Sequence, residues 1–191
     1  IGVGIYIVIL ISLFGLYLYT YRRKLLDSLR HVLFFTILMA MLICAAFLVL
    51  RHFSASYIFL IPFAWVPIIT RVFYDSRTAI FIHIITVFIV SIAAPAPYVF
   101  ILLQVITGIV AVISLRDMPQ RAQLAQTALF TFLMYSVVYT ASTLLVTGSI
   151  ANVEYNYYIY FAVNAVLVIC AYGLIFLFER TFGLVSNITL V

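Results

Sequence analysis

The 191 residues are 68% hydrophobic and 8% charged, against roughly a quarter charged in soluble domains, which excludes a water-soluble fold. The net charge of +5 is scattered with no continuous basic face, which argues against a nucleic-acid partner. A helix needs about 20 apolar residues to cross a bilayer, so the length holds about seven spans and no soluble domain besides. The predicted architecture is an all-α integral membrane bundle.

The first predicted span covers residues 1–21 and closes on Tyr17, Tyr19 and Tyr21, which suit headgroup depth. A basic loop follows with Arg22, Arg23, Lys24 and Arg30. The second span, residues 32–50, leads into a short turn containing Arg51 and His52. The third, residues 57–73, contains Pro62 and Pro67; each removes a helix donor and crowds the preceding turn, so a bent or broken helix and a candidate hinge are expected. The freed carbonyls need partners from neighbouring helices, hydroxyl side chains or water.

Arg71 and Arg77 flank the next loop, and the fourth span covers residues 78–94. Pro95 and Pro97 push their preceding residues out of helical geometry and separate it from the fifth span, residues 98–115. Arg116, Asp117, Pro119 and Arg121 form a further basic turn. The sixth span covers residues 122–146. A connector with Glu154 and no positive charge leads through Tyr155, Tyr157, Tyr158 and Tyr160 into the seventh span, residues 157–178.

Nine of the ten Lys and Arg residues fall at alternate connectors, with only Arg51 on the other side. Lys and Arg beside spans are retained in the cytoplasm, so the pattern predicts the N-terminus outside and the C-terminus inside. Both ends read as cut within a longer protein, since Ile1 already lies in an apolar run.

Catalytic signatures are absent from the sequence: it contains no GxGxxG, Walker, HExxH or GxSxG pattern. No catalytic, cofactor-binding or metal-ligating residue is assigned, and no cofactor is expected in this chain. None of the five carboxylates falls at bilayer depth, which disfavours a proton pump or an aspartyl intramembrane protease. His83, Gln104, Thr107 and Asn164 are the candidate polar contacts within spans, with interhelical hydrogen bonding favoured over a ligand pocket. Gln104 and Thr107, three apart, share a helix face. Asp27 and His31, four apart, have the spacing to share one as well. Cys44 and Cys170 read as small buried hydrophobes.

Three stretches together resemble the bacterial 7TM receptors with an intracellular HD hydrolase domain. They are Leu60-Ile61-Pro62-Phe63-Ala64 followed by Asp75-Ser76-Arg77-Thr78-Ala79; Gly108 to Arg116 leading to Arg121; and Glu179-Arg180-Thr181-Phe182-Gly183-Leu184 with Thr189-Leu190, read as a strand-and-turn exit over residues 179–191. The resemblance implies an extracellular sensing domain before the spans and a cytoplasmic metal-dependent HD phosphohydrolase after them, which in characterised members hydrolyses cyclic di-AMP. It implies a location in the bacterial inner membrane. No His-Asp dipeptide occurs in this chain, so the catalytic metal ligands are expected beyond it. On this reading the chain is a non-catalytic signal-transducing module. Pro62 and Pro67 are its candidate hinge, and Arg116, Arg121, Glu179, Arg180 and Gly183 its candidate coupling residues. A homodimer is expected from signalling logic only. A small-solute transporter or channel, or a purely structural anchor, are the competing readings.

Overall fold

A computed structural model describes residues 2–115 and 121–183, with backbone only for Arg121 and Ala122. Among the described residues the secondary structure is helical, without strands. Helix α1 (Gly2–Tyr21) ends at a one-turn helix α2 (Arg23–Leu26), and α3 (Leu29–His52) runs back across the bundle. A 3-10 segment, Ala55–Leu60, and α4 (Trp65–Phe73) make up the third crossing. Then come α5 (Ser76–Ser91), α6 (Pro97–Ser114) and α7 (Arg121–Thr147), and the last crossing is split into α8 (Asn156–Ile169) and α9 (Ala171–Phe182).

Among the described residues six helical stretches are long and apolar enough to cross a membrane, counting Ala55–Phe73 and Asn156–Phe182 each as one. The seventh candidate, α5, has 16 residues and spans about 24 Å at 1.5 Å per residue, less than a hydrocarbon core of about 30 Å. Its burial explains how so short a helix is accommodated. Ala79, Ile82, His83, Ile85, Thr86, Val87, Ile89 and Val90 are all buried, because α1, α3, α4 and α6 pack around it. Helix α5 is the axis of the bundle. By contrast α1 buries only Leu10 and Leu18.

The third crossing breaks where the prolines predict. Ile61 takes an extended conformation after the 3-10 segment, and the helix resumes at Trp65. The two prolines act differently, however. Pro62 lies in the break, whereas Pro67 lies in the first turn of α4, where a missing N–H costs no intrahelical bond. Pro97 likewise opens α6 at its first position, where its fixed φ suits a helix start.

Four local expectations change. The Glu179–Gly183 exit is helical, with α9 running to Phe182; Gly183 terminates it at φ +63° in the left-handed region, which a residue without a Cβ adopts at little cost. Cys44 and Cys170 are exposed on the outside of the bundle. Asp27 precedes α3, whose N-cap is Ser28, so Asp27 and His31 do not share a helix. The seventh crossing is interrupted at Cys170, between α8 and α9.

Candidate functional site

Two polar centres connect the helices, one at mid-bundle and one at the basic end. At mid-bundle the structure brings His83, Gln104 and Asn164 into one buried chain of contacts through Tyr135 on α7. His83 on α5 donates from Nε2 to the Gln104 carbonyl on α6 at 2.8 Å. The Tyr135 hydroxyl donates to Gln104 Oε1 at 2.6 Å and also interacts with the Asn164 side chain. Tyr135 is held flat by Phe161 of α8, with ring centroids 5.1 Å apart and planes 11° apart. His83, Gln104, Tyr135 and Asn164 are all essentially inaccessible.

The Asn164 amide donates to the Phe59 carbonyl at 2.9 Å and to the Ile61 carbonyl at 2.8 Å. These are backbone acceptors at the break beside Pro62, and in an apolar interior an unpaired carbonyl costs about 1–3 kcal/mol. On the other side of the break, the Trp65 indole N–H donates to the Leu167 carbonyl of α8 at 2.8 Å. Helix α8 therefore grips the broken crossing on both sides. Gln104 Nε2, Asn164 Oδ1, His83 Nδ1 and Thr107 Oγ1 have no hydrogen-bond partner among the described residues. Thr107 shares the buried face of α6 with Gln104 but joins no hydrogen bond within the chain of contacts.

His83 can reach the α6 backbone because residue 108 is glycine. A Cβ there would overlap the Nε2 edge of the His83 imidazole, so the close approach of α5 and α6 at this level requires a residue with no side chain.

At the basic end, Arg22 pairs with Asp75 at 2.8 Å. Asp75 caps α5 by accepting from the Thr78 hydroxyl at 2.7 Å and from its N–H at 3.4 Å. The Tyr17 and Thr78 hydroxyls lie 3.2 Å apart, and Tyr17 stacks on Phe81 at 4.2 Å between centroids. This lock joins the end of α1 to the start of α5. Partial burial alone would raise the Asp75 pKa, but hydrogen bonds from Thr78 and Arg22 and the guanidinium charge outweigh it and hold the carboxyl below its usual range. The hydrogen bond and charge of Asp75 raise Arg22 in turn.

Beside this lock, His31 Nδ1 lies 2.7 Å from the Tyr74 hydroxyl, whose pKa is raised by burial. Phe34 on α3 sits at the centre of an aromatic cluster. It makes edge contacts with Phe73 at 5.3 Å, Phe178 at 5.2 Å and Phe182 at 6.0 Å, and a tilted contact with Tyr74 at 5.4 Å. Such pairs contribute about 0.5–1.5 kcal/mol each beyond area burial. The end of the last helix is thereby seated on α3 and the α4–α5 turn.

Of the candidate coupling residues, Glu179 is half-buried and its carbonyl accepts the Gly183 N–H at 2.9 Å. Arg180 and Gly183 border a groove with Arg30, Leu33 and Phe182. Arg116 and the side chain of Arg121 lie outside the described residues.

Sequence reasoning picked out the polar residues within spans but missed Tyr135, which joins them. Its available signal was position: it lies in mid-span, away from the tyrosine belts. The Arg22–Asp75 pair joins two different connectors, and no local spacing encodes it.

A helical bundle with an apolar exterior and its few polar groups turned inward defines a multi-pass integral membrane protein. A family model described as 7TM receptor with intracellular HD hydrolase matches residues 1–186, and the chain belongs to that family. No curated protein and no solved structure matches the chain.

Proposed function

We propose that this chain is the non-catalytic signal-transducing module of a membrane-bound HD phosphohydrolase. On this reading it couples an extracellular sensing domain to a cytoplasmic enzyme that hydrolyses cyclic di-AMP. The N-terminus is outside, the C-terminus is in the cytoplasm, and the protein acts as a homodimer in the bacterial inner membrane. Metal ions belong to the HD domain. The observation that carries the proposal is the double hydrogen bond from Asn164 to the Phe59 and Ile61 carbonyls. It ties the broken crossing to the arm, α8 and α9, that leaves toward the enzyme.

Coupling needs an element with two arrangements of similar energy. Gln104 Nε2 is a donor and Asn164 Oδ1 an acceptor, both buried and unpaired among the described residues, and both side chains meet at Tyr135. A shift of α8 toward α6 would pair them at the expense of the bonds at the break. The Pro62 break supplies the hinge for that exchange, while Pro67 fixes where α4 restarts. Arg180 and Gly183 pass the movement onward.

The test is the rate of cyclic di-AMP hydrolysis by the full-length protein in membranes. Asn164→Leu removes two hydrogen bonds at the break from one arrangement and a single bond to Gln104 from the other, a net difference of about 1 kcal/mol, so the rate should change about fivefold at equal expression. Pro62→Ala should change it too, and Pro67→Ala should change it little. Unaltered rates in both Asn164→Leu and Pro62→Ala would overturn the hinge. Intact regulation after exchanging the bundle for an unrelated anchor would leave only a structural role.

A further inference from the structure

At the end of the bundle opposite the basic connectors, a cavity of about 350 Å³ opens between the loops. It is bordered by residues from three separate turns: Ser56 after α3, Pro95 before α6, and Glu154 before α8. Its volume lies within the range of small-molecule sites, about 300–1,000 Å³. We propose that this cavity binds a small organic cation, an amine carried on an apolar or aromatic body.

Three features select that chemistry. The walls are aromatic: Phe59, Phe100, Tyr139 and Tyr157 line it, and Tyr139 stacks on Tyr157 at 4.9 Å between centroids. Ring faces attract cations and pack against apolar bodies. Glu154 is the only charged residue lining the cavity among the described residues, and its backbone is positioned by an N–H donated to the Tyr139 hydroxyl at 3.3 Å. That bond uses the hydroxyl as an acceptor. Finally, Ser142, itself buried, places a hydroxyl-bearing side chain in the wall. An anion would meet the carboxylate with no counter-charge, and an alkane would leave these polar groups without partners.

The site also adjoins the break. Phe59, whose ring lines the cavity, offers its carbonyl to Asn164. Any effect of an occupant on hydrolysis rests on the coupling reading above, whereas binding does not, so the experiment reads binding alone. Phenethylamine is titrated against the protein in phosphatidylcholine nanodiscs, followed by saturation-transfer NMR, with 2-phenylethanol as the neutral isostere. Saturable binding of the amine is expected, with the alcohol and the Glu154→Gln protein each weaker by roughly fivefold. Ser142→Phe, which fills the cavity, should abolish binding of both probes. Because Glu154 is exposed, its substitution leaves the core intact, and an unchanged thermal midpoint checks this. Equal affinity for amine and alcohol, equal affinity in Glu154→Gln, or signal that rises without saturation as in empty nanodiscs would each overturn the proposal.

Discussion

Gly108 carries more of the packing than its size suggests. A methyl group at this position would overlap the edge of the His83 ring, and the ring has little room to retreat, because it is buried and bonded to the Gln104 carbonyl. Gly108→Ala should therefore destabilise the protein by about 1–3 kcal/mol, the usual cost of overpacking. The measurement is thermal unfolding in detergent, with the double variant His83→Ala, Gly108→Ala recovering part of the loss. Equal midpoints for Gly108→Ala and the parent would mean that α5 and α6 are not so close. At this level the sequence was partly legible. His83, Gln104 and Asn164 stand out as polar residues in apolar runs, but Gly108 is one glycine among seven. Nothing local marks it as the one facing an imidazole 25 positions earlier in the chain.

The joints between helices depend on charge and capping at the basic end. Asp75 serves α5 as cap and α1 as counter-ion. Its pKa is lower folded than unfolded, so the stabilisation is present above the unfolded value of about 3.9 and is lost as pH falls through the folded value below it. Acid titration of the protein in detergent should thus show a loss of thermal stability below about pH 4 that Asp75→Asn lacks. At neutral pH Asp75→Asn should lie below the parent by up to about 1 kcal/mol, because Asn retains much of the capping ability and loses the ion pair. A parallel acid response in both proteins would remove Asp75 from this role.

Apolar runs and proline signals are local cues to helices, whereas the joints between helices leave no local mark. The break at Pro62 follows from one residue, since a proline there has neither donor nor room. The continuation of α9 through Glu179–Phe182 follows from packing. Phe178 and Phe182 stack at 5.7 Å and both meet Phe34, and that aromatic seat holds in helix a stretch that its composition left open.

Across the whole molecule, the chain direction of the helices sets Arg22, Arg30, Arg71, Arg77 and Arg180 at one end and Arg51 at the other. A bilayer retains such an end in the cytoplasm. With Cys44 and Cys170 replaced by serine, a membrane-impermeant maleimide applied to intact cells should label Ser149→Cys and spare Lys24→Cys. The opposite pattern would reverse the proposed topology. The charge pattern is legible from sequence. It could not reveal that α5, the shortest crossing, lies at the centre, because burial depends on which neighbours surround a helix and not on its own hydropathy.

The uneven grip on α1 has a mechanical consequence. Its contacts are concentrated toward its last turns, where Phe14 meets Phe35 at 5.8 Å and Tyr17 meets Thr78 and Phe81, while Val3, Ile5, Val8, Ile9 and Ile11 lie exposed on the bundle exterior. Peeling α1 away from its Gly2 end therefore meets little resistance over the first two turns, before the buried Leu10, and stiffer resistance thereafter. In effect α1 is a rod clamped at one end, and a load on its loosely packed end is borne at the clamp, beside the N-terminus of α5.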